Sequence, residues 1–192
     1  VSSDEFQQKY QVRFDAGLSG FRALAAAADV VVLADALPTV HAAAGIPTTL
    51  ADHRVITANL ANPARVAEWV LARQAEKGDR FVVAVIAVGE RRADGTARFA
   101  VEDFLVAGAV IDALSSVGID HCSPEAAAAV AGFAGLKRAL RHLITASETA
   151  QALAALGRQA EVQAALRMEL AVTDAGTEPP AISRPGEFTF PA

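Results

Sequence analysis

The chain has 192 residues, of which 53% are hydrophobic and 20% charged, with a formal net charge of -5. That length suits one domain, residues 1–192, with a real core, and the balance excludes a disordered chain. An acidic chain without a dense Lys/Arg run argues against a nucleic-acid partner.

No eighteen-residue window is apolar without a break by charge, Gly or Pro, so no membrane span is expected. The polar, acid-bearing opening Val1 to Lys9 does not read as a secretory signal. Cys122 is the single cysteine, which rules out an internal disulfide and fits a reducing, cytoplasmic setting.

In chain order, Gln11 to Phe14 reads as a short strand, Gly17 and Gly20 as a turn, and Phe21 to Ala28 as a helix. Val30 to Ala34 is an almost unbroken β-branched run, the pattern of a central parallel strand covered on both faces. Asp35 ends it. Pro38 is suited to open a helix that Gly45 and Pro47 close. Arg54 to Thr57 is a further strand. Asn62 as N-cap and Pro63 in the first turn then start a helix that Gly78 stops.

Phe81 to Val88 is the strongest strand. Gly89 to Arg92 and a tight turn at Asp94-Gly95 lead to a long helix, Ala100 to Val117, with Glu102 and Asp103 near its positive end. Ser123-Pro124-Glu125 opens an alanine-rich helix. Leu136–Leu143, Ser147–Leu156 and Glu161–Glu169 read as helices, and Phe188 and Phe190 suggest an edge strand in the tail. Lys137, Arg138, Arg141 and His142 share one helix face and read as solvated. The alternation of strands and helices predicts a three-layer αβα fold with a largely parallel sheet and a helix-rich C-terminal half.

In open α/β sheets, ligands bind outside the carboxyl ends of the strands. That rule gathers Asp35, Asn59, Asn62, Glu90, Glu102 and Asp103 from distant parts of the chain. Carboxylates beside neutral amides make the donor set of a hard-cation site such as one for Mg²⁺. The same acids are also what helix first turns and strand ends use for capping, and Asn62 fits the cap better than the site. No dinucleotide fingerprint, P-loop or nucleophile elbow is present. The four histidines lack zinc spacing, and adjacent His121-Cys122 is a poor nucleophilic pair.

The block Ala87-Val88-Gly89-Glu90, then Phe99-Ala100-Val101-Glu102-Asp103 and Ala107-Gly108-Ala109, resembles the 2-phosphosulfolactate phosphatase (ComB-like) family. Val30 to Leu37, Val55 to Val66, Ser123 to Ala126 and Ser147 to Val162 are similar to further parts of it. The opening Val12-Arg13-Phe14 with Gly17 and Gly20 looks like its bacterial branch. The resemblance implies Mg²⁺-dependent release of phosphate from a small anionic phosphoester. It also implies an oligomer, here a homodimer built on the small side chains of Glu125–Ala131 and Gln151–Leu156.

The chain departs from the family as a shortened, divergent member. Pro38 stands where the family has arginine, the middle region before Val55 is abbreviated, and Ser147-Glu148-Thr149 keeps little of a later motif. On the enzyme reading, Asp35, Glu102 and Asp103 are catalytic, with Glu90 a further metal ligand. Arg91, Arg92, Asn59 and Asn62 then bind substrate, the arginines taking over from the missing one. The alternatives are a catalytically degenerate homologue that binds a small anion or serves in assembly, and a different small-metabolite enzyme on the same scaffold. Asp35, Glu102 and Asp103 are expected to converge, with only one of the two consecutive acids turned inward.

Overall fold

A computed structural model of the chain describes residues 7–40, 45–50, 53–168 and 187–191. Its centre is a four-stranded, all-parallel sheet of β1 (Val12–Ala16), β2 (Val30–Ala34), β4 (Val55–Ala58) and β5 (Val83–Ala87), in the order β1-β5-β2-β4. The β-branched runs occupy the two central strands, and every residue of β2 and β5 is buried. Alternation along each strand divides the core in two. Val30, Val32, Val83 and Val85 face one apolar cluster, and Val31, Leu33, Ala84 and Ile86 face the other.

The first face is covered by α2 (Pro63–Lys77), α3 (Val101–Ser116) and α4 (Pro124–Leu136), followed by α5 (Leu140–Ala146), α6 (Glu148–Ala155) and α7 (Gln159–Met168). The second is covered by α1 (Gly17–Leu24) and an antiparallel ribbon of β3 (Gly45–Thr49) with β8 (Glu187–Pro191), whose Phe190 is fully buried against Phe21. This is the three-layer arrangement with a helix-rich second half. Among the described residues no helix is long and apolar enough to cross a membrane.

Local chemistry sets the ends of the elements. Ser123 Oγ accepts from the Ala126 N–H at 3.1 Å, and Ser147 Oγ from the Ala150 N–H at 3.2 Å, so α4 and α6 are side-chain capped. Helix α3 runs across the sheet beside α4, and Gly108 makes that approach possible. A Cβ at Gly108 would lie 2.4 Å from the Ala129 carbonyl oxygen and 2.7 Å from Phe133 Cβ.

Three expectations are corrected. The helix after Pro38 does not form in the described residues: 38–40 are irregular, 41–44 lie outside them, and Gly45–Thr49 is a strand. The segment after β2 is instead held by hydrogen bonds from other elements, described below. Asn62 does not cap α2 with its side chain, because both ends of its amide are used in the preceding turn. Its Oδ1 accepts from the Asn59 N–H and its Nδ2 donates to the Thr57 carbonyl. Gly17 opens α1 rather than lying in a turn before it. The expected helical residue Glu169, the start of the tail from Thr177 and His41 lie outside the described residues.

Candidate active site at the carboxyl ends of the central strands

Beyond the ends of β2 and β5 the chain makes two short excursions. After β2 it runs through Asp35 to Val40. After β5 it turns at Gly89 into a small hairpin, β6 (Glu90–Arg91) and β7 (Ala97–Arg98), and then enters α3. Asp103, in the first turn of α3, ties the two together. Its Oδ1 accepts from the Ala36 N–H and its Oδ2 from the Gly89 N–H, both at 2.8 Å. Gly89 has φ +80°, and a Cβ there would meet the Arg98 carbonyl oxygen at 3.1 Å, so glycine suits this turn best.

Glu90 holds the same segment from the other side. Its Oε2 accepts from the Val40 N–H at 3.0 Å and its Oε1 from the Arg91 N–H at 3.2 Å. Arg158 of the loop before α7 donates from Nη1 to the Thr39 carbonyl at 3.0 Å. Residues 36–40 are thereby fixed by hydrogen bonds from three distant parts of the chain, and Asp35 with them.

Glu102 is different. It is 1% exposed, and neither carboxylate oxygen has a hydrogen-bond partner. A buried carboxylate in that state is costly unless something else compensates it. Asp103 is also buried, at 3% exposure, so the two consecutive acids both turn inward rather than one facing solvent. Neither caps α3, whose Ala100 N-cap has no side-chain bond.

The electrostatics show that the acids sense one another. Asp35 is pushed up to about 7, first by burial and then by the charges of Glu90 and Glu102, with a hydrogen bond from the Leu37 N–H acting the other way. Asp103 lies well above the usual carboxylate range, through burial and then the charge of Asp35. The Ala36 and Gly89 N–H groups oppose the rise, and Glu102 adds to it. No ion pair to Asp35, Glu90, Glu102 or Asp103 is made among the described residues.

Two clefts flank these acids. One, of about 360 Å³, is lined by Asp35 with Leu37, Pro38, Asn59, Leu60 and Ala165. The other, of about 460 Å³, is lined by Glu90 with Arg91, Arg92, Arg98 and Glu148. Thus Asn59 reaches a cleft edge while Asn62 lines neither. Arg91 and Arg92 brace the hairpin through the Gly95 and Ala97 carbonyls.

From the sequence, Arg98 is expected only as a possible partner of Glu102 or Asp103, not as a residue of the site. It is buried, donates to Thr149 Oγ1 and to the Phe99 carbonyl, and lies 3.6 Å from Glu148. The signal for it is the hairpin register, which sets Arg98 opposite Glu90 once the Asp94-Gly95 turn is recognised.

The donor chemistry suits a hard cation: only oxygens, with the two of Glu102 lacking any protein donor. Among the described residues, no three His, Cys, Asp or Glu side chains are grouped to enclose an ion by themselves. A cation here would keep water or substrate oxygens for most of its ligands, as Mg²⁺ commonly does.

A family model described as 2-phosphosulpholactate phosphatase matches residues 14–173. That span runs from β1 into the residues after α7 and includes every acid of the cleft. No curated protein matches the chain.

Proposed function

The chain belongs to the 2-phosphosulpholactate phosphatase family, and from that premise we propose that it is a Mg²⁺-dependent phosphomonoester hydrolase acting on a small anionic phosphoester. The observation that carries the reading is Glu102, a fully buried carboxylate without a donor, set beside Asp35 in an acid cluster without a counter-ion among the described residues. Evolution of a merely structural cap would not need that arrangement, since capping acids find N–H partners.

In this reading Glu102 and Asp35 hold the ion, which when bound polarises a phosphoryl oxygen and acidifies a water. Asp103 and Glu90 fix the strand ends through the backbone bonds given above, and so set where Asp35 stands. Asp35 lines the cleft, so an ion that it would hold faces the substrate. The guanidinium groups of Arg91, Arg92 and Arg98 line the neighbouring cleft, where they grip the phosphate and balance its charge. Arg98, buried and oriented by Thr149, is the best fixed of the three. The setting is cytoplasmic and the working form a homodimer, the former supported by the lone cysteine and the latter by the small-residue helices.

The test is phosphate release from a panel of small phosphoesters with and without Mg²⁺, alongside calorimetric titration of the ion. Wild type should bind Mg²⁺ and turn over; Glu102→Gln should lose both. Absence of turnover on the whole panel together with absence of Mg²⁺ binding would leave the arginine-lined cleft as a small-anion binding site on a degenerate homologue.

A further inference from the structure

The cleft that holds the arginines is also lined by three acids, Glu90, Asp94 and Glu148, and they are not alike. Glu90 accepts from the Val40 and Arg91 N–H groups. Asp94 accepts from the Thr96 hydroxyl at 2.7 Å and the Thr96 N–H at 2.9 Å. Both are tied to the loops that carry them. Glu148, the first residue of α6, meets an arginine instead: its Oε2 lies 3.6 Å from Arg98 Nη1.

That pair is unequal. The Arg98 side chain is 7% exposed, and its N–H groups donate to Thr149 Oγ1 and to the Phe99 carbonyl, so its guanidinium stays in place when a partner leaves. The Glu148 side chain is 72% exposed, and the separation is beyond hydrogen-bond length. It swings into water at little cost, because ion pairs with an exposed partner are weak.

We propose that Glu148 sets the anion affinity of this cleft by competing with bound phosphate for Arg98. The inference rests on the placing of phosphate among the arginines in the reading above, and adds the residue that limits how tightly it is held. In the structure the Glu148 carboxylate balances part of the charge of Arg98. A phosphate that pairs with Arg98 displaces that carboxylate and then lies beside it as a like charge. The energy of the displaced contact and the repulsion are both subtracted from binding. A product phosphate held less tightly also leaves faster.

Glu148 has a second use, since an acid in the first turn of a helix is favoured by the dipole, and Ser147 caps α6 just before it. Glu125 stands likewise in the first turn of α4, after the Ser123 cap, and is not among the residues that line the cleft. It supplies the control. Loss of either acid removes one negative charge and one dipole contact, whereas the contact with Arg98 belongs to Glu148.

The experiment is calorimetric titration of inorganic phosphate into the full chain with millimolar Mg²⁺ present. Glu148→Gln should bind phosphate more tightly than wild type by roughly threefold or more, the scale of one partly exposed charge contact. Glu125→Gln should bind phosphate as wild type does, while both variants lose a little thermal stability. Equal or weaker binding by Glu148→Gln, equal tightening by Glu125→Gln, or absence of phosphate binding in all three proteins overturns the inference. The readout needs no turnover, so it is separate from the phosphatase reading. Tightening by Glu148→Gln in a protein that hydrolyses none of the phosphoester panel overturns the hydrolase and keeps the competition for Arg98. Turnover with a phosphate affinity that Glu148→Gln leaves unmoved does the reverse.

Discussion

Asp35→Asn should stabilise the ion-free protein, and the gain should depend on pH in a defined way. Asp35 titrates near 7 in the fold because burial and then the charges of Glu90 and Glu102 disfavour its anion. In the unfolded chain an aspartate titrates at about 3.9. The folded state therefore binds this proton more tightly. Its stability falls as pH rises from about 4, where both states begin to differ, to about 7, and is level above that.

Roughly three pKa units at about 1.4 kcal/mol each set an upper limit near 4 kcal/mol. Asp35 keeps part of its surface in water, so about 2–3 kcal/mol is expected. Asparagine keeps an oxygen for the Leu37 N–H and removes the charge. Because Asp103 is raised in part by Asp35, the two titrate as a pair, and relief of Asp103 is included in the gain.

Urea denaturation in chelator at pH 4.5 and pH 8 measures this directly. The variant and wild type should be close at the lower pH, and the variant ahead at the higher. Millimolar Mg²⁺ should then raise wild type and not the variant, narrowing or inverting the order. A gain that is the same at both pH values, or a variant less stable at pH 8, refutes the account of Asp35 as an uncompensated charge.

The remaining predictions concern the frame around it. Asp103→Asn should have the opposite sign, losing about 1–3 kcal/mol in the same denaturation experiment. One of the Ala36 and Gly89 N–H groups would then face an amide NH₂ instead of an oxygen; a more stable variant would reject the bridge. Gly108→Ala should cost about 1–3 kcal/mol by forcing α3 from the Ala129 carbonyl, read as a lowered Tm, and an unchanged Tm would reject that contact. Val85 is fully buried at the centre of the sheet, so Val85→Asp should prevent folding. A soluble variant with a cooperative transition would contradict its placement.

What could be read from the sequence follows from the range of the interactions. β2, β5 and α3 are set by local pattern: unbroken β-branched runs, and a long apolar helix with acids at its start. Their observed limits differ from the expected ones by a few residues, as at Val83–Ala87 against Phe81 to Val88. The ribbon of β3 and β8 could not be read the same way. Its partners are about 140 residues apart, and Gly45 and Pro47 are common helix-ending residues when considered alone. Phe188 and Phe190 did signal a strand by alternation, but nothing local named its partner. At the site, the positions of Asp35, Glu90, Glu102 and Asp103 near strand ends were legible by the carboxyl-end rule. Which of them already had N–H partners was not, because those partners are Ala36, Val40 and Gly89, backbone groups that carry no side-chain signature.

That distinction also changes the question the acids raise. From spacing alone, an acid in a first helical turn is either a cap or a functional group. Asp103 is neither in the simple sense: it caps no N–H of its own helix, and binds the ends of two other elements. In doing so it fixes Asp35 at the cleft and contributes to the negative field around it. Glu90 acts the same way through Val40. Asp103 and Glu90 hold the geometry through N–H groups of other elements, Asp35 keeps only the local Leu37 N–H, and Glu102 has no hydrogen-bond partner at all among the described residues. A site assembled in this way resists single substitutions unequally. Loss of Asp103 or Glu90 disturbs the loop and thereby the cleft, so activity and stability fall together. Loss of charge at Asp35 separates them, raising stability while removing function, as expected where a fold tolerates strain for the sake of its chemistry.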